Sequence, residues 1–259
     1  MISPLRQAAA DILQTMRRQY NGPHVIVPAQ EADFPHLDLS AYAGFRSELG
    51  QHGFRYIGDI ELRDVSQVHD KKMARTMIRA MLSDDGRISA GYYQIRALFW
   101  RQLLLLLAGL ANLRLVTAPL ASVRALKTRH CIDFSTEFSD GRHLITTNAE
   151  ASAILEMPPS IEKQHFPYGT PAAALLSRHR ARLDEIVQQH AGVQPRVMAS
   201  TDDLVQKVQR EKAIKDSYRA ALQWITQEEL RKMSRGDHAW ADAIFAEVRN
   251  ILAGERSVP

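Results

Sequence analysis

Thiols are nearly absent from this sequence: Cys131 is the one cysteine in 259 residues. That excludes an intramolecular disulfide and a zinc site built on several thiolates. Cys131 lies in an alternating run, HCIDFSTEF, where a half-buried structural residue is expected rather than a nucleophile. The glycine-rich loops of nucleotide binding are missing, as are a Gly-x-Ser-x-Gly elbow and a His-Glu-x-x-His pair. Long apolar runs are missing too. The stretch from Leu103 to Ala111 is nine residues, about 14 Å of helix against a hydrocarbon core of about 30 Å. Extending it draws in Arg101, Asn112, Arg114 and Pro119, and an arginine near the bilayer centre costs about 2.5 to 3.5 kcal/mol. A transmembrane helix is therefore not expected.

The composition is that of an ordinary globular chain, 45% hydrophobic and 24% charged, with a formal charge of +4. Scarce thiols and a mild basic balance suit a cytoplasmic protein, free or membrane-associated. The first twenty residues lack the apolar core of a secretory signal, and Asp11 is unlike an organelle-targeting peptide. They read as a surface helix with Leu5, Ile12, Leu13 and Met16 on one face.

Beyond that helix, HVIVP gives a short extended piece, and DLSAYAGFRSELGQHG a helix capped by Asp38 or Ser40 and stopped at Gly53. FRYIGDIEL alternates as a strand, and DVSQVHDKK reads as a polar connection. Two segments then share a Ser-Asp-Gly-Arg theme between β-prone runs, TMIRAMLSDDGRISAGYYQIR and CIDFSTEFSDGRHLITTN. Asp-Gly tolerates the positive φ of tight turns, so both are expected to be hairpins, with Gly86 and Gly141 at the left-handed positions. A two-residue loop at the second hairpin puts Phe134, Thr136 and Phe138 on one face with His143 and Ile145. A three-residue loop with a bulge puts Leu144 and Thr146 there instead.

After the proline-punctuated PPSIEKQHFPYGTP the text turns helical. One helix follows Thr170 and Pro171, one opens at the acidic turn 200–203, and one carries Trp240, Ile244, Val248 and Ile251 as a stripe. The expected fold class is α+β: an antiparallel, hairpin-based sheet packed by helices, followed by a helical C-terminal part. The organisation reads as a mixed region over 1–157, a Pro-rich crossing over 158–170 and a helical part over 171–259.

The stretches HGFRYIGDIE, FSDGRHLITTN and TPAAALLSRHRARL together make the chain similar to bacterial α+β proteins of unassigned function. That resemblance implies no activity.

Three places invite a functional reading. Glu137, His143 and Asn148 in the second hairpin are the candidate catalytic residues, set against a turn with a solvated face that accounts for Ser135 and Glu137. Arg178 and Arg182 share a helical face able to hold an anion, set against an exposed helix answered by Asp184 and Glu185. His179 and His190 are eleven residues apart, about 16 Å along a helix, too far for one metal ion. No metal or other cofactor is expected. The mixed charges of the helix from Leu204, with Lys207, Lys212 and Arg219, read as a solvated face.

The third place stands out by what it omits. From Gly86 to Ile132 there is no Asp or Glu, while Arg96, Arg101, Arg114, Arg124, Lys127 and Arg129 fall inside, beside Trp100. The apolar text within it fits either a central core helix or an interfacial element whose arginines meet anionic headgroups. The missing catalytic signatures favour a non-catalytic binding or accessory protein acting at an anionic membrane surface or on a protein partner. The alternatives are an enzyme of unfamiliar class at Glu137, His143 and Asn148, and an anionic-ligand or nucleic-acid binder working through residues 86–132. No recognisable nucleic-acid module surrounds the basic stretch.

Overall fold

The computed structural model describes residues 3–68, 74–96, 128–149, 154–234 and 236–256. It has the expected α+β class: a seven-stranded sheet, antiparallel except at one edge, with packed helices and a helical C-terminal part. In chain order the elements are α1 (Pro4–Gln19), β1 (Ile26–Pro28), α2 (Leu39–Gln51), β2 (Phe54–Leu62), α3 (Arg63–Val68), β3 (Ile78–Ser83) and β4 (Ser89–Ile95). There follow β5 (Arg129–Glu137), β6 (His143–Thr147), β7 (Ile161–His165), α4 (Ala172–Gln189), α5 (Thr201–Ala221), α6 (Gln227–Met233) and α7 (His238–Arg256).

The chain divides into two units. One holds residues 24–150 and 160–207, the other residues 1–23, 151–159 and 208–259. The α4 helix thus belongs with the sheet, and α1 with the helices near the C-terminus. The proline-punctuated crossing contains a strand, β7, laid parallel on β6.

In the sheet unit the strands lie in sequence order from β1 to β7. Both Asp-Gly turns form. At the first, Ser83 N donates to Ile88 O at 2.9 Å around a four-residue loop, and Gly86 has φ +72°. A Cβ on Gly86 would come within 2.4 Å of the Met198 carbonyl, so close approach and backbone conformation both demand glycine there. At the second, Phe138 N donates to Arg142 O at 2.8 Å around Ser139, Asp140 and Gly141, with Gly141 at φ +84°. This is the three-residue loop, and its register pairs Phe134 with Thr146 and Thr136 with Leu144.

That register sorts the sheet into two faces. One carries Phe54, Met81, Ala90, Tyr92, Phe134 and Leu144, and with α2 and α4 it forms the main core around Phe45, Leu49, Leu175 and Leu176. The other face is apolar at β2 and β3, with Ile60, Ala80 and Leu82 buried. There residues 198–204 run alongside: Arg55 donates to Ala199 O and Thr201 Oγ1 donates to Ile57 O. At β4 to β6 the same face is mixed, with Ser89, Asp133, Ser135, Glu137, His143 and Thr147 among Tyr93, Cys131 and Ile145.

The helical unit has its own core of Ala9, Leu13, Ile225, Leu230, Ala241, Ile244, Val248 and Leu252. The α7 stripe is turned slightly from the expected one: Ala241 and Leu252 are buried, while Trp240 is exposed. The expected polar connection DVSQVHDKK starts as a helix, α3, over its first residues.

Candidate functional site

Glu137, His143 and Asn148 are 2%, 2% and 1% exposed, so the expectation of a solvated face fails for Glu137 and for Ser135, which is also buried. Alternation identifies which residues share a face, not whether that face is wet. Here Arg196 meets Glu137, and Lys207 meets Ser89 and Ser135, on a face that is buried along β4 to β6.

The structure does not bring the three together. Glu137 faces His143 across the β5–β6 pair beside the turn. Asn148 lies five residues further along β6 and beyond it, about 17 Å at strand rise. Its side chain is already committed: Oδ1 accepts from Ile132 N at 2.8 Å, and Nδ2 donates to His130 O at 3.3 Å. Arg196 holds Glu137 instead, with Nε 3.6 Å from Oε1 and its backbone N donating to Glu137 O at 2.7 Å.

Two polar clusters that sequence reasoning missed sit on opposite faces of the same strands. On one, Lys207 at the start of α5 donates to Ser135 Oγ and, at 3.3 Å, to Ser89 Oγ, and Ser89 Oγ donates to Ser135 O at 3.1 Å. On the other, His179 of α4 is wedged between two threonines, Nε2 at 3.0 Å from Thr136 Oγ1 and Nδ1 at 2.9 Å from Thr146 Oγ1. Thr136 Oγ1 also donates to Arg87 O at 3.1 Å, so it accepts from Nε2–H, and Nδ1 accepts from the Thr146 hydroxyl. Burial, reinforced by the charges of Lys207 and Arg180, lowers the His179 pKa to about 3. A neutral imidazole with both nitrogens engaged has no proton to exchange with a substrate. A lysine–serine contact is a nucleophile geometry where a substrate can reach it. Here Lys207, Ser89 and Ser135 are all buried, and the contact works as an internal clamp.

Cys131 is fully buried, and burial with Asp133 nearby pushes its thiol up to about 12, the opposite of an activated nucleophile. Arg182 holds Glu162 through two bonds, at 2.7 and 2.8 Å, and Glu185 through a third, leaving little for an outside anion. His179 is buried rather than exposed. Among the described residues no group of three His, Cys, Asp or Glu is placed to hold a metal ion. Two surface grooves are lined by Glu228, Arg231, Lys232 and His238, and by α1 with Ile251 and Glu255; none of the groups above lines either.

Of the residues assigned to an anionic surface, Trp100, Arg101, Arg114, Arg124 and Lys127 lie outside the described residues. Arg96 and Arg129 are described, and they stand where the acid-free run leaves and rejoins the sheet. Ile95 at the end of β4 pairs with Arg129 at the start of β5. Arg96 Nη1 donates to His36 O at 2.7 Å, and Arg129 lies over the Tyr168 ring at 4.9 Å. Residues 97–127 therefore form an insertion between two strands that are paired to their ends. Among the described residues no helix is long and apolar enough to cross a membrane. No protein-family model, no curated protein and no solved structure matches the chain.

Proposed function

We propose that this chain is a non-catalytic binding protein that docks on an anionic membrane surface through the acid-free run between β4 and β5. The observation that carries this reading is the register Ile95↔Arg129. The sheet continues from β4 to β5 without the run, so its leucines are not needed to complete a ladder. One sheet face is occupied by α2 and α4. An apolar run flanked by arginines and free of carboxylates suits the headgroup–acyl boundary, where each basic residue contributes about 1 kcal/mol.

The catalytic alternative loses support because Glu137 and His143 are separated from Asn148, and Glu137 and Asn148 are held by internal partners. Cosedimentation with vesicles is the test. The protein is expected to pellet with anionic vesicles at low salt, to release as salt shortens the Debye length from about 10 Å at 0.1 M to about 3 Å at 1 M, and to ignore neutral vesicles. Equal partition into neutral and anionic vesicles, or none into either, contradicts the proposal.

A further inference from the structure

We infer that Asn21 is a site of spontaneous covalent modification, losing its side-chain amide to attack by the Gly22 backbone nitrogen and becoming aspartate or isoaspartate. Asn21 and Gly22 form the one Asn-Gly pair in the sequence. They lie between α1 and β1, just before the chain leaves the helical unit after Pro23. No cofactor is needed. The Gly22 nitrogen gives its proton to hydroxide and bonds to Asn21 Cγ, closing a succinimide ring. The amide nitrogen leaves as ammonia, protonated by water, which restores the hydroxide. Water then opens the ring at either carbonyl. One product is the ordinary aspartyl link, the other a main chain that runs through the side-chain carbon.

Among the described residues nothing holds the two reacting groups. Asn21 and Gly22 are exposed, and neither the Asn21 carboxamide nor the Gly22 N–H has a hydrogen-bond partner there. Asn21 opens onto the groove along α1, so water reaches it. No atom lies within 4 Å of where a Cβ on Gly22 would stand, which leaves its nitrogen unshielded. Only the flanks are tied: Tyr20 N donates to Met16 O at 3.0 Å, and Lys212 Nζ donates to Gly22 O at 3.0 Å. Chemically similar places are locked. Asp85–Gly86 and Asp140–Gly141 could close the same ring with loss of water, but Gly86 N donates to Ser83 O at 2.8 Å and Gly141 N to Phe138 O at 3.0 Å. Their carboxylates are held too, Asp85 by Ser83 Oγ at 2.6 Å and Asp140 by Arg142 Nε at 2.7 Å. Asn148 is buried with both ends of its amide engaged, and Asn250 lies within α7 with its amide on Glu247 at 3.3 Å. Either product at position 21 adds a carboxylate and lowers the formal charge of +4 by one.

The experiment ages full-length protein at neutral pH, folded and in urea, and follows the tryptic peptide Gln19–Arg46, whose one asparagine is Asn21. Mass reports the change from amide to acid, and methyl transfer by an isoaspartyl methyltransferase reports the isoaspartyl product. An exposed segment with no internal bonds to break should convert in the folded protein within about threefold of its rate in urea. Isoaspartate at Asp85 and Asp140 should form about a hundredfold or more slowly in the folded protein than in urea, since their turns must first open. Raising the pH from 7 to 8 should speed conversion at Asn21, because the nitrogen reacts as its anion. An Asn21 that survives in the folded protein while the chain in urea converts would show that the fold protects it, and overturns the inference. Equal conversion of the same peptide in Asn21→Gln would place the reaction on Gln19 or Gln30 and overturn it as well.

Discussion

Glu229→Ala is expected to cost about 3 to 5 kcal/mol of stability, the penalty for stranding a buried charge. Glu229 is fully buried at the start of α6. Its Oε1 accepts from Arg219 Nη1 at 2.6 Å and from Glu156 N at 2.6 Å, and its Oε2 accepts from Thr226 N at 2.9 Å. Thr226 Oγ1 returns an acceptor to Glu229 N at 3.2 Å, so the same residue closes the capping box of α6. Removing the carboxylate leaves the buried Arg219 guanidinium, 5.6 Å from the Tyr20 ring, bonded to Glu156 O but without its counter-charge, and two backbone N–H groups unanswered. Replacing both partners removes the charges together, so Arg219→Met with Glu229→Leu should recover much of the loss. Urea unfolding of the three variants measures this. A single-variant cost under about 1 kcal/mol would show that Arg219 finds water or another partner.

Acid sensitivity is the second large effect, and its source is His179. The folded-state pKa of about 3 lies below the ordinary value of 6.5 because the ring is buried near two positive charges. Below pH 6.5 the unfolded chain takes up a proton that the folded chain refuses. Stability therefore falls as pH falls, by up to about 1.4 kcal/mol per unit, down to about pH 3, and is indifferent to this group above 6.5. His179→Gln keeps one donor and one acceptor for Thr136 and Thr146 but cannot be protonated. Its initial disadvantage at pH 7 should shrink by about 3 kcal/mol on going to pH 4. Carboxylates such as Asp242, held at about 2 by Arg231, act alike in both proteins and cancel from the difference. A constant gap between the two proteins from pH 7 to pH 4 would mean that the imidazole is protonated in place.

The parts of this fold that the sequence announces are those fixed by neighbours in the chain. Asp38 caps α2, Gly86 and Gly141 take their positive φ angles, and FRYIGDIEL becomes β2, because each depends on a few adjacent residues. The burial of charge depends on residues far away in sequence, and there the reading fails. Lys207 is 72 residues from Ser135 and 118 from Ser89, and no periodicity in α5 distinguishes it from a solvated lysine. Lys212 and Arg219 are buried for the same kind of reason, through Gly22 O and Glu229. The i,i+4 spacing of Lys212 and Asp216 was there to be seen, but such a pair looks the same on a wet face. The candidate site was misleading because Asp-Gly turns gather polar residues for conformational reasons. Asn148 extends the β5–β6 ladder with its side chain, a use indistinguishable in sequence from a ligand-binding amide.

Whether the leucines between β4 and β5 serve a surface or a core is the choice on which the functional reading turns, and the strand register makes it directly measurable. Ile95 and Arg129 already face each other, so residues 97–127 can be replaced by a short Asn-Gly turn closing Arg96 onto Thr128. Vesicle cosedimentation and a thermal melt are then run on the excised chain beside the parent. The docking reading predicts a cooperative melt within a few degrees of the parent and loss of the anionic-vesicle binding that the parent shows. An excised chain that does not fold would make the leucines core. An excised chain that folds and binds vesicles as the parent does would place the membrane contact elsewhere.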